Sequence, residues 1–233
     1  MNVTGKHTDS LDLFQQAAGR ALRSLPLYLI VPLLFWLGFR AAGWDMEWKA
    51  FGLGALGWLI ALALRGPIGA MGTRWKQETV KNIMAASSGV LEETVRLALL
   101  LLTSAGTSWA VSVGQGWAAI EVLFVMVNVV AMASLGKRTD EKAVQARQLL
   151  ESQGTLHVSP LWGVLERIWA SAFHIGATLV VARHPWSVAL LVPLHSGLNW
   201  FAVRIAARSV RQSSLFIAVV GTAVLIVGLA LMR

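Results

Sequence analysis

Two glutamates stand side by side in the apolar stretch GVLEETVRLALLLL, with an arginine one turn further on: Glu92, Glu93 and Arg96. In a helix the pairs 92/96 and 93/96 are i,i+4 and i,i+3 neighbours, so the guanidinium reaches either carboxylate. One cation cannot neutralise two carboxylates, which leaves a glutamate able to take and return a proton. Two imidazoles sit in equally apolar surroundings, His174 in ERIWASAFHIG and His195 in LVPLHSGLNW. Asn199 follows His195 by four residues, on the same helical face. A charged side chain at the bilayer centre costs at least ~2.5–3.5 kcal/mol, so such groups face the bundle interior and pair with one another.

These residue types suit water activation. A glutamate takes a proton from water, the water attacks a peptide carbonyl, and a histidine with Asn199 stabilises the oxyanion while a protonated group feeds the leaving amine. A metal variant uses the same residues. His174, His195 and one glutamate, Glu92, make the two-histidine, one-carboxylate set of many catalytic Zn²⁺ sites. The chain has no cysteine, so neither disulfides nor thiolate chemistry enters.

The elements that must hold these groups are membrane spans. The 233 residues are 56% hydrophobic and 14% charged, with mean hydropathy +0.62; soluble domains carry about 25% charged residues. The pattern predicts an all-α, polytopic transmembrane bundle of about seven spans, with six to eight compatible: 25–39, 51–71, 83–104, 109–135, 161–182, 186–203 and 213–232. Residues 1–24 read as an amphipathic, interfacial segment with Leu11, Phe14, Ala18 and Leu22 on one face. They precede a single transmembrane domain, 25–233, interrupted by a polar, partly helical cytoplasmic loop at about 136–159. No signal-peptide pattern is expected at the N-terminus. The net charge of +8 comes from basic residues gathered in loops, not from a nucleic-acid-binding module. Lys6, Arg20 and Arg23, then Arg65, Arg74, Lys76 and Lys81, then Lys137, Arg138, Lys142 and Arg147, then Arg204, Arg208 and Arg211 fall on one side of seven spans. That places the N-terminus in the cytoplasm. On this topology Glu92, Glu93, His174 and His195 lie at one depth, within about a turn of each other, and Glu121 is close enough to join them.

The motifs resemble a known group. EETVR looks like the EExxR motif of the CAAX prenyl protease and Abi superfamily of intramembrane proteases, and HSGLN matches its HxxxN motif. The closer likeness is to the bacterial YhfC-type branch of intramembrane metalloproteases. GVLERIWASAFHIGATLVV resembles that branch's ER…FH segment, and GQGWAAIEVL its glycine-rich segment ending in a glutamate. The likeness covers about residues 87–200. It departs at Ala170, where an FxxxH motif would place phenylalanine, and at Gln115. The resemblance implies an endopeptidase of a bacterial cytoplasmic membrane, acting on membrane-embedded or membrane-associated peptides. Glu92 or Glu93 would be the general base, and His174 and His195 metal ligands or transition-state stabilisers. Asn199 would complete the oxyanion site, with Arg96 supporting the glutamates.

Other readings compete. A proton-coupled transporter or channel would use the same Glu and His residues as a relay, although no internal repeat is visible. A haem protein would use the two histidines as axial ligands. Glu121 is balanced between site and packing. Glu166 and Arg167, adjacent in sequence, are expected to face apart and to find separate partners as supporting groups. His7, His157 and His184 read as solvated. Trp36, Trp44, Trp58, Trp162 and Trp186 read as interface belts, and the glycines of 51–71 as close helix packing.

Overall fold

The computed structural model describes residues 3–71, 75–103, 106–138, 140–152, 156 and 158–232. Arg74, His157 and Arg233, and the side chains of Lys6, His7, Leu11, Lys81 and Lys142, lie outside the described residues. Among the described residues there are eight α-helices and short 3₁₀ turns, and no strand. They are α1 (Val3–Ala41), α2 (Trp48–Met71), α3 (Gln77–Thr103), α4 (Gly106–Ser134), α5 (Glu141–Ser152), α6 (Leu161–Arg183), α7 (Val188–Ala206) and α8 (Val210–Ala230).

Six of these are long and apolar enough to cross a membrane: α1 from Asp12, α2, α4, α6, α7 with the turn before it, and α8. At ~1.5 Å per residue, α3 also has the length, but Glu92, Glu93 and Arg96 stand in its middle. The outer faces are apolar, with Leu29, Ile30, Leu33, Leu34 and Leu37 of α1 exposed. An aqueous fold would hide such a stripe; a bilayer solvates it.

The stretch expected to form a separate interfacial helix is instead the beginning of α1, which runs unbroken through Pro26 and Pro32. Polar contacts hold it to the connection between α4 and α6: Gln15 donates to the Gly136 carbonyl at 3.3 Å and Arg20 to that of Leu156 at 2.7 Å. Phe14 is buried there while Leu22 is exposed, so the expected apolar face is only partly used. The helix stops at a Schellman turn. Gly43 takes φ +89°, its N–H bonds the Arg40 carbonyl, and that of Trp44 bonds the Phe39 carbonyl. The Phe39 and Trp44 rings pack 5.4 Å apart, the apolar contact that accompanies this cap.

The centre belongs to α4 and α6, buried continuously over 110–119 and 171–179. Small residues let them be crossed closely. A side chain at Gly54 of α2 or Gly116 of α4 would strike the Val113 or Phe51 carbonyl, so these two backbones touch, as the glycines of 51–71 predict. Around this centre α1 packs on α4, α8 on α6, and α3 bridges α2 and α7. Trp58 is no interface residue. It is buried, with its ring 5.2 Å from Phe124. Trp186, by contrast, is exposed.

Candidate active site

The polar residues of five helices meet in one layer, and α3 is its hub. Arg96 is wholly buried and spends its donors on Glu93, His174 and Thr178. Nε and one Nη bond the two Glu93 oxygens at 3.0 and 3.3 Å. The other Nη reaches α6, bonding the His174 carbonyl at 3.0 Å and the Thr178 hydroxyl at 2.5 Å. The Trp117 ring lies beneath the guanidinium, 4.3 Å from its carbon. A buried cation with this many partners is stable; one without them would not be.

Both imidazoles are held by carboxylates. His195 Nδ1 lies 2.8 Å from Glu93 Oε1. A carboxylate only accepts, so Nδ1 carries the hydrogen and Nε2 is the ring's other, available nitrogen. His174 Nδ1 lies 3.0 Å from an Arg96 Nη. Arginine only donates, so this Nδ1 accepts and the hydrogen sits on Nε2, 2.6 Å from Glu121 Oε2. The two rings are 5.3 Å apart, and Phe173 packs 4.8 Å from His195.

Adjacent glutamates on a helix point about 100° apart, and here they part company. Glu92 lines a cavity of about 470 Å³, together with Glu121, His174, His195 and Asn199. Glu93 is not among its lining residues and is wholly buried. Gly89, one turn earlier, sets this rotation: a side chain there would strike Ser196 and the Val192 carbonyl of α7. That close approach brings Glu93 and His195 together.

The expected layer therefore forms, and two further residues join it, Arg65 and Trp117. Arg65, counted with a loop, lies inside α2 and pairs with Glu92 Oε1. The expectation of one cation for two carboxylates is thus corrected: each glutamate has its own arginine. Arg65 is 17% exposed at its side chain, and its Nε–H is buried without a partner among the described residues. Trp117 donates to Glu92 Oε2 at 3.2 Å. The signal for both was available, since Arg65 falls within an apolar span and Trp117 four residues before Glu121 in the same helix.

Asn199 also lines the cavity, and its amide nitrogen commits one of its two N–H groups to Ser88 Oγ at 2.5 Å. Glu166 and Arg167 do not face apart. Arg167 bonds Glu121 at 2.6 Å through one Nη and Glu166 at 2.5 Å through the other, because its long side chain lets a forked head reach back to its sequence neighbour. Glu121 is a full member of the layer, bridging Arg167 and His174.

Glu92, His174 and His195 each offer a ligand atom within 4.8 Å of the others, a group that could hold a metal ion. The fit is incomplete at His174, whose two ring nitrogens already face Arg96 and Glu121. No protein family matches this chain, and no curated protein or solved structure does either.

Proposed function

We propose that this protein hydrolyses a peptide bond of a membrane-embedded substrate, with Glu92 as the general base. The observation that supports it is the position of Glu92, on the cavity wall beside two imidazoles. A cavity water gives a proton to Glu92 as its oxygen bonds the scissile carbonyl carbon, and the carbonyl π electrons move onto oxygen. The buried Arg65 Nε–H faces the resulting oxyanion, and His195 Nε2, unprotonated, accepts a hydrogen bond from the remaining O–H of the attacking water. Collapse breaks the C–N bond, and the departing amine takes the proton from Glu92. Glu93 acts through His195, fixing its tautomer and orientation, and Arg96 balances the charge of Glu93.

The test is cleavage of quenched-fluorescent transmembrane peptides by protein in liposomes. Glu92→Gln should lower the rate by about 10²–10⁴-fold, the range for a lost general base. A wild-type rate in Glu92→Gln would sink the proposal. Proton uptake into the liposomes without any cleavage would favour the transporter reading of the same residues.

A second reading rests on the close approach of Glu92, His174 and His195. These would hold Zn²⁺, which when bound supplies a more acidic water. His174 would first have to release Arg96 or Glu121. Near-stoichiometric zinc in gently purified protein, lost in His174→Ala plus His195→Ala, would establish it.

For the topology we take α3 as a seventh span, its charges neutralised within the layer, and the N-terminus as cytoplasmic. The basic loops still support this orientation once Arg65 is moved into the bilayer.

A further inference from the structure

A second cavity, about 410 Å³, runs along the bundle where α6 begins. Its walls come from α1, α4, the start of α6 and the residues Leu156, Val158 and Ser159 before it, and they are mostly apolar: Phe14, Tyr28, Met132 and Trp162 beside the small Ala17 and Ala21. Both cavities fall in the ~300–1,000 Å³ range of ligand sites. They share one residue, Glu166, which lines each of them. The partition between them is an ion pair. Arg167, which lines only the polar cavity, holds Glu166 with one Nη and Glu121 with the other. Glu121 in turn holds His174.

We infer that this groove binds an extended, apolar polypeptide segment of the substrate and delivers the adjoining peptide bond past Glu166 into the polar cavity. The inference rests on the peptidase reading for its passenger, but not for its route. A peptide bond inside a helix has its carbonyl hydrogen-bonded and its backbone wrapped by side chains. Hydrolysis needs the segment unwound, and unwound backbone is tolerated at membrane depth only where protein or a polar cavity satisfies it. The two cavities divide that work. The groove takes apolar side chains, with room over Ala17 and Ala21. Ser24, Asn128 and Ser159, which also line it, offer hydrogen bonds to extended backbone. The polar cavity takes the scissile bond. Passage past Glu166 requires its link to Arg167 to give way, and Arg167 retains Glu121 as it does so. The partition can therefore open without leaving a buried cation unpaired.

The absence of cysteine makes the route testable without any activity. Ala170 lines the polar cavity and Ala21 the groove. Ala170→Cys should react with N-cyclohexylmaleimide, and Ala21→Trp, filling the groove, should slow that reaction at least tenfold. Leu190→Trp, on the exposed face of α7, should leave the rate unchanged. A second groove variant, Val129→Trp, guards against misfolding of the first, with the unfolding midpoint of each checked. The passenger is tested with a benzophenone-bearing, leucine-rich peptide on Glu92→Gln protein. The adduct should map to Met132 and disappear with Ala21→Trp. Unchanged labelling of Ala170→Cys in both filled variants, or an adduct on other faces of the bundle, would overturn the inference. Cleavage by wild type with no groove adduct would overturn the route while sparing the peptidase. A groove adduct without cleavage by wild type would sustain the peptide route and reject the peptidase.

Discussion

At the scale of single residues, the layer is a set of cations each matched to its own acids. Arg65 pairs with Glu92, Arg96 with Glu93, and Arg167 with Glu121 and Glu166. Breaking one partner of a buried pair costs ~3–5 kcal/mol, because the survivor is left uncompensated. Arg96→Leu should therefore destabilise the protein by about that much, seen as a lowered unfolding midpoint in detergent. Arg138→Ala, in an exposed pair with Asp140, should not shift it measurably. The two glutamates should separate by phenotype. Glu92→Gln should lower cleavage by about 10²–10⁴-fold with the smaller loss of stability, because Arg65 is partly exposed whereas Arg96 is not. Glu93→Gln should lose both, since it strands Arg96 and frees His195. Equal unfolding midpoints for the two variants would contradict this division.

At the scale of helices, close backbone approach aims the side chains. Gly89→Val would drive α3 from α7 at Ser196 and Val192, separating Glu93 from His195. Cleavage should fall at least tenfold. Gly52→Ala, where open space surrounds the position, should leave activity intact and stability unchanged or slightly raised, alanine being the better helix former. An inactive Gly52→Ala, or a fully active Gly89→Val, would show that packing does not set the geometry. Outside the bilayer, α5 is capped by Asp140, whose carboxylate accepts from the Ala143 N–H at 3.2 Å. The Arg138 guanidinium, which donates to it at 2.8 Å, holds this carboxyl below its usual range. A depressed folded-state value means the cap's contribution is present above the unfolded value and is lost as pH falls through the folded one. Amide exchange at 141–144 should therefore accelerate, beyond its intrinsic pH dependence, only in acid below the ordinary carboxylate range. Protection that is flat through that range would refute the cap.

At the scale of the whole molecule, α1 begins beside the connection between α4 and α6 and ends beside the start of α4 and the end of α8. Phe39, Ala110 and Leu229 belong to one apolar cluster there. If the N-terminal side is cytoplasmic, an impermeant maleimide on intact cells should label Lys49→Cys and spare Arg211→Cys. The reverse pattern would invert the topology. The cysteine-free background makes either signal unambiguous.

Much of this was legible in the sequence. Composition and apolar run lengths determine a helical membrane bundle, because only internally bonded helices satisfy their backbones in lipid while exposing leucine. The fixed rise per residue determines that Glu92, Glu93, His174 and His195 share a depth, and the structure brings them into contact. Depth does not determine rotation, however. Which of two adjacent glutamates meets the cavity depends on where Gly89 seats α3 against α7. Partnership across helices depends on contacts far apart in sequence. Arg65 meets Glu92, Trp117 lies under Arg96, and Ser88 takes the Asn199 amide, all because of how α2, α4 and α7 turn toward α3. Those rotations are set by close packing of whole helix faces, so only the tertiary structure could decide them.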